Sequence, residues 1–252
     1  MKNCEVDNGR EFDFGRTSAE YAKYRDIYPA ELGQRLLALG VGKPGTAWLD
    51  LGTGTGVLPR MLASEGAEIT ALDISENQIA EAIRLSKGFN ITYRVASAED
   101  NGCPTGAYDA ITAVQCFWYF DRERMKTEIK RLLKPGGIFV KVYVGWIKDD
   151  PIASASPALV REINPDWNSG SMAVNDLKIH IFDNPIMESF YAELPFTRES
   201  WHGRMLTCRG VLGSMDGDML ERFEKHHLDL MAELPEKFTV RHKIFITAYR
   251  LN

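Results

Sequence analysis

The chain has 252 residues, of which 44% are hydrophobic and 26% charged, and it carries a formal net charge of −5. That length allows one or two domains, and the balance is ordinary for a globular chain. The acidic excess argues against a general binder of nucleic acid or of anionic membranes. Four cysteines (Cys4, Cys103, Cys116 and Cys208) lie scattered with no CxxC spacing, as suits reduced thiols and a cytoplasmic location. The start, Met1 to Asp7, is polar and acidic, without the apolar stretch of a signal peptide, and no run approaches the ~18 apolar residues of a membrane span.

Residues 17–40 read as helical: Pro29 suits a first turn, Leu32, Leu36 and Leu37 share a face, and Gly40 stops it. A strand at 46–51 runs into the turn Gly52-Thr53-Gly54-Thr55-Gly56. The helix after it carries Leu58, Met61 and Leu62 and ends near Gly66. A second strand spans 68–73, and Ser75 opens a capped helix that buries Ile79 and Ile83. Strands at 91–95 and 108–114 follow, the latter a continuous apolar run that fits a sheet covered on both faces. Asp121 caps a helix ended by Lys134-Pro135-Gly136-Gly137, and a fifth strand spans 138–144. Residues 146–185 are rich in Pro, Ser, Asn and Asp and read as a long irregular segment, with one helical hint at 158–163. A strand at 187–194, a helix capped by Thr197, a helix at 216–233 and a strand at 239–249 close the chain. This alternation predicts an α/β, Rossmann-like, doubly wound fold: a seven-stranded, mostly parallel sheet with an antiparallel edge strand and helices on both faces.

The glycine turn holds the sharpest chemical signal. Its spacing is G-x-G-x-G, and Val57 stands where a dinucleotide fingerprint needs Gly or Ala. Asp50, two residues before the first glycine, would repel a diphosphate but would welcome an ammonium. Asp73 ends the next strand 17 residues after Gly56 (73 − 56), about where an acid accepts from ribose hydroxyls. Both features favour S-adenosylmethionine, which carries an ammonium and a sulfonium and no phosphate, over a nicotinamide dinucleotide.

Together with Ala98-Glu99-Asp100, Tyr108-Asp109-Ala110 and Arg131 to Gly137, these residues make the chain resemble the class I S-adenosylmethionine-dependent methyltransferases over residues 17–145. Within them, Tyr24 to Pro29 and Gln115 to Asp121 are similar to motifs of the small-molecule branch that includes trans-aconitate methyltransferases. Asp26 stands where that branch has Pro, and Trp118 and Tyr119 stand where it has His and Trp.

The resemblance implies a cofactor set of Tyr21, Arg25, Asp50, Gly52, Thr53, Gly54, Gly56, Asp73, Ile74, Ser97, Ala98, Glu99 and Gln115. Ile74 would pack on adenine, Ala98 and Glu99 would meet its edge, Gln115 would lie near the methionine portion, and Arg25 would bind the cofactor carboxylate from an N-terminal cover. It implies one domain over 1–252, with that cover at 1–45, the cofactor core at 46–145, a lid at 146–185 and the acceptor side at 186–252. Trp118, Tyr119, Arg198, Trp201 and His202 are the expected acceptor-binding residues. Arg198 would match a carboxylate, and His202 or Tyr119 would be the candidate bases. No metal cluster is expected: His226 and His227 are adjacent and face apart on a helix. The expected partner is a small-molecule acceptor, the expected state a monomer or homodimer. Two rival readings stay open: a nonenzymatic S-adenosylmethionine-binding module, and an RNA or protein methyltransferase.

Overall fold

The computed structural model describes residues 17–25, 27–167 and 176–251. Seven strands form one sheet in the order β3-β2-β1-β4-β5-β7-β6, mostly parallel with an antiparallel pair at one edge. In chain order the elements are α1 (Ser18–Tyr24), α2 (Ala30–Leu39), β1 (Ala47–Leu51), α3 (Val57–Leu62), β2 (Glu68–Asp73), α4 (Glu76–Leu85), β3 (Ile91–Val95), β4 (Tyr108–Val114), α5 (Arg122–Leu132), β5 (Leu133–Trp146), α6 (Pro151–Ile163), β6 (Ile186–Thr197), α7 (Arg198–Leu206), α8 (Gly217–Ala232) and β7 (Lys237–Arg250). Among the described residues no helix is long and apolar enough to cross a membrane.

The chain divides into two compact units. The sheet unit comprises Tyr28–Val144, Asn175–Phe190 and Ile244–Asn252. In it β1 pairs in parallel with β2 and β4, β2 with β3, and β4 with β5. Trp48, Leu49, Leu51, Ala110, Ile111, Ala113, Phe139 and Val140 are fully buried, which explains why these strands read as apolar runs rather than as alternation. Ser75 caps α4 and Asp121 caps α5 by accepting the N–H groups of Gln78 and Arg124. Ile79 is buried as expected, but Ile83 is 55% exposed and not inward.

The helical unit comprises Met1–Ile27, Gly145–Val174 and Tyr191–Lys243. Its core gathers Ala153, Val160, Trp167, Phe196, Trp201, Met205, Phe223 and Met231 from α6, α7, α8 and their flanks. Tyr24 of α1 lies so close to α7 that a side chain at Gly203 would strike its ring.

Three elements depart from the sequence reading. The helix expected over 17–40 is two helices, because Pro29 stands in the extended conformation as the N-cap of α2. Strand β5 begins at Leu133, through the expected breaker: Gly136 takes φ +76, and Gly136 and Gly137 exchange backbone hydrogen bonds with Leu251. The expected lid over 146–185 contains a 13-residue helix, α6. Asp150 Oδ1 accepts from the N–H groups of Ile152 and Ala153 at 3.1 Å, and Pro151 fills the first turn. Residues 168–175 of that segment lie outside the described residues.

Trp201 is fully buried, donates from Nε1 to Ser156 Oγ at 2.9 Å, and meets the Phe196 and Trp146 rings edge-on. We expect Trp201→Ala to cost about 3–5 kcal/mol of folding stability in urea melts. A loss below about 1 kcal/mol would show that this ring is not a core anchor.

Candidate active site at the glycine turn

Strand β1 delivers Asp50 and then breaks into the glycine turn. Gly52, Gly54 and Gly56 all adopt positive φ, at 62, 56 and 76°. At Gly52 and Gly56 the glycine is required by the protein itself. A Cβ on Gly52 would sit 2.8 Å from Cys116 Sγ, and one on Gly56 would run into the Tyr93 side chain.

Two carboxylates flank the turn in different ways. Asp73, at the end of β2, accepts the Gly54 N–H at 2.8 Å and the Ser75 N–H at 2.9 Å, one on each oxygen. With the Ile74 amide also acting on it, about one of the carboxylate's four lone-pair sites is left for a ligand hydroxyl. Burial pushes its pKa up, and the amides of Ser75, Gly54 and Ile74 oppose that shift. Asp73 is therefore a strap on the turn, tying the end of β2 to the glycines.

Asp50 is 2% exposed and accepts from Thr112 Oγ1 at 2.5 Å; Thr112 Oγ1 in turn accepts from Trp48 Nε1 at 2.8 Å. Burial pushes the Asp50 carboxyl up to about 6. The hydroxyls of Thr112 and Thr53 lower it in part, the negative Asp73 raises it, and among the described residues no cation is found with them. A buried acid in that state is stabilised by any cation brought beside it. This is the observation by which the residues present fit an ammonium-bearing cofactor.

The other expected cofactor residues fall in three groups. Ile74 lies just past β2, 57% exposed, as an apolar surface next to the Asp73 strap. Ser97 and Glu99 bond to each other (Ser97 Oγ to Glu99 Oε2, 2.6 Å), and Glu99 Oε1 accepts the Asp121 N–H at 3.0 Å. Glu99 thus braces the start of α5, and Ala98 beside it is buried. Gln115 departs furthest from expectation. It takes φ +61 at the end of β4, and its side-chain amide pairs with the backbone of Val144: Nε2 donates to the carbonyl at 2.6 Å and Oε1 accepts the N–H at 3.1 Å. Its polar end therefore extends the β4–β5 ladder. A non-glycine residue held in the left-handed region stores strain, a recurrent feature of functional sites.

Tyr21 and Arg25 lie in the helical unit. There the Arg25 guanidinium bonds to Thr207 Oγ1 (3.0 Å), to the Thr207 carbonyl (3.1 Å) and to Cys208 Sγ (3.3 Å), and it covers the Tyr21 ring. These are contacts within the helical unit.

The acceptor set divides as well. Phe117 and Phe120 pack edge-on, with Phe117 buried, while Trp118 and Tyr119 are half-buried. Trp201 belongs to the helical core and cannot line a substrate surface. Arg198 Nε donates to the Leu234 carbonyl at 2.7 Å, Nη2 donates to the same oxygen, and Glu236 lies near. The expected carboxylate fork is thus spent on the end of α8. His202 Nδ1 lies 2.8 Å from His227 Nδ1, and His227 Nε2 lies 2.9 Å from Ser156 Oγ. Burial lowers the pKa of His202, and it takes fully buried His227 down to about 3 with help from His202. His202 is therefore a neutral member of an internal chain, and its Nδ1 is engaged. The sequence could not show these pairings, whose members lie 25 to 71 residues apart.

Asp50 also gives a pH signature. Its folded pKa of about 6 lies above the ordinary 3.8, so the folded state binds its proton first. Its contribution to stability is complete below about pH 4 and is lost as pH rises through about 6. Asp50→Asn should therefore stabilise the ligand-free protein at pH 8 by about 1–3 kcal/mol, and the gain should vanish near pH 4. Equal melting of variant and parent at both values would mean that the acid is not held at a cost.

Comparison with known proteins agrees with this geometry. Residues 49–141 match the family model described as a methyltransferase domain. The ubiquinone biosynthesis O-methyltransferase of Xanthomonas oryzae pv. oryzae is 33% identical over 115 residues, 44% of this chain and 47% of that protein. The malonyl-[acyl-carrier protein] O-methyltransferase of Serratia marcescens is 30% identical over 132 residues, 50% of this chain and 49% of that one. The chain thus spans about half the length of the curated relatives it matches. Among solved structures, a protein of Anaeromyxobacter dehalogenans assigned as a type II methyltransferase is similar over 89% of this chain and 97% of its own, with 26% identity and a TM-score of 0.60. The YcgJ protein of Bacillus subtilis shares the fold at 19% identity and a TM-score of 0.53, over 88% of this chain and 98% of its own. Residues 49–141, with their parallel sheet and acid-flanked glycine turn, thus match a methyltransferase domain.

Proposed function

We propose that the chain transfers a methyl group from S-adenosylmethionine to a small-molecule acceptor by in-line displacement. The buried Asp50, with no cation acting on it among the described residues, carries this reading: it supplies a negative field beside a glycine turn, where an ammonium would relieve it. Asp73 would accept from a ribose hydroxyl through the lone-pair site its three amides leave free. Exposed Ile74 would cover one face of the adenine.

The cofactor brings a sulfonium-activated methyl group. The acceptor heteroatom forms the new bond to the methyl carbon as the carbon–sulfur bond breaks. The bond's electron pair stays on sulfur, and the acceptor proton leaves to solvent. The protein's task is then alignment, which supplies several kcal/mol of the barrier and up to about 7–11 in ideal cases. A dedicated base is not required, which agrees with His202 being engaged elsewhere. A carboxylate acceptor, the class that Arg198 would have matched, loses its main support, because Arg198 holds the Leu234 carbonyl. Two curated relatives are O-methyltransferases by name, which supports an oxygen acceptor.

Calorimetry tests the reading directly. S-adenosylmethionine and its demethylated product should bind, and NAD should not. Affinity should fall as pH drops below about 6, as Asp50 takes up its proton. Asp50→Asn should weaken binding by about tenfold to a hundredfold, the loss of roughly 1.5–3 kcal/mol of charge-assisted interaction, and should flatten that pH dependence. NAD binding more tightly than either sulfur compound would overturn the proposal.

A further inference from the structure

The turn after β4 sorts its aromatic residues into two sets. Phe117 faces inward, against Phe139 and Phe120 in the buried core. Trp118 and Tyr119 remain half-buried, and two further half-buried rings join them. Trp118 meets Tyr119 at 5.5 Å between centroids and Tyr143 of β5 edge-on at 5.9 Å. Tyr143 stacks on Phe245 of β7 at 6.3 Å. Four rings from three adjacent segments of the sheet unit thus form one continuous aromatic wall.

The wall is fixed to the glycine turn. Cys116, two residues before Trp118, donates from Sγ to the Leu51 carbonyl at 3.2 Å and sits where a Gly52 side chain would be. Gln115 clamps Val144, the neighbour of Tyr143, through both ends of its amide. The strained backbone at Gln115 therefore sets both the direction of the 117–119 turn and the height of Tyr143 beside it. Partly open rings cost free energy in water, and stacked or edge-on rings offer a flat apolar surface that favours another ring. The guanidinium that the sequence offered for a carboxylate or phosphate on the acceptor, Arg198, donates to the Leu234 carbonyl within the helical unit.

We propose that Trp118 and Tyr143 select the methyl acceptor, and that the acceptor is a planar aromatic compound held by ring contacts rather than an aliphatic acid held by ion pairs. This inference rests on the methyl-transfer reading and deepens it. The test uses the full chain saturated with S-adenosylhomocysteine and two probes of similar size, catechol and succinate, in calorimetric titrations. Catechol should bind at least about tenfold more tightly than succinate. Trp118→Ala and Tyr143→Leu should each weaken catechol by about tenfold, while affinity for S-adenosylhomocysteine stays within about twofold. Trp118→Leu keeps apolar volume should the alanine variant fold poorly, and it should lose catechol as well. The inference is overturned if succinate binds as well as catechol, or if folded Trp118→Leu and Tyr143→Leu variants bind catechol like the parent. Failure of the parent to bind S-adenosylhomocysteine at all would instead overturn the methyl-transfer reading, and this inference with it.

Discussion

The carboxylate of Asp73 holds the end of β2 to the turn that ends β1, and the site depends on that strap. A turn with three glycines at positive φ is conformationally cheap to form but entropically costly to fix. Two charge-assisted bonds from Asp73 to the amides of Gly54 and Ser75 offset part of that cost. The Thr53 N–H adds a third tie, to the Leu72 carbonyl at 2.8 Å. Cys116 and Tyr93 close the remaining space at Gly52 and Gly56. The turn is thus rigid before any ligand arrives, which spares a ligand the ordering cost.

Much of the sheet unit was legible in the sequence for a physical reason. Strands buried on both faces must be apolar throughout, so β1, β2 and β4 stood out as short runs bounded by glycines and acids. What escaped the reading was set by contacts distant along the chain. The start of β5 runs through Lys134-Pro135-Gly136-Gly137 because Leu251 satisfies its backbone there. Helix α6 hid behind its serines and Pro157, although Asp150 followed by Pro151 is a local start signal that could have revealed it. Asp50 and Asp73 could be picked out because they stand in or at the end of strands beside a glycine turn. The surroundings of Arg198, Trp201 and His202 could not, because a nine-residue helix with a mixed sequence does not declare which face is inward. Arg198, Trp201 and His202 all proved to serve the packing of the helical unit, through Leu234, Ser156 and His227.

Buried acids and buried histidines respond to acid in opposite ways. In the sheet unit Asp50 and Asp73 beside the glycine turn have raised pKa values, so acid relieves these two groups, while Glu128 and Asp109, paired with Arg131 and Lys134, are lowered and lose stability in acid. In the helical unit the fully buried His227 and His242 lie near 3 and 4, well below the ordinary 6.5. Depressed histidines contribute stability above about pH 6.5 that is lost as pH falls, because the unfolded chain takes up their protons first. Acid therefore charges the buried histidines of α8 and β7 while it neutralises Asp50 beside the glycine turn. Protonation of Asp50 removes its field from the turn. Neutral to alkaline conditions are thus where the buried histidines stay uncharged and where the acid beside the glycines stays ionised: packing in one unit and the charge at the turn in the other favour the same pH range, although Asp50 itself is held at a cost there.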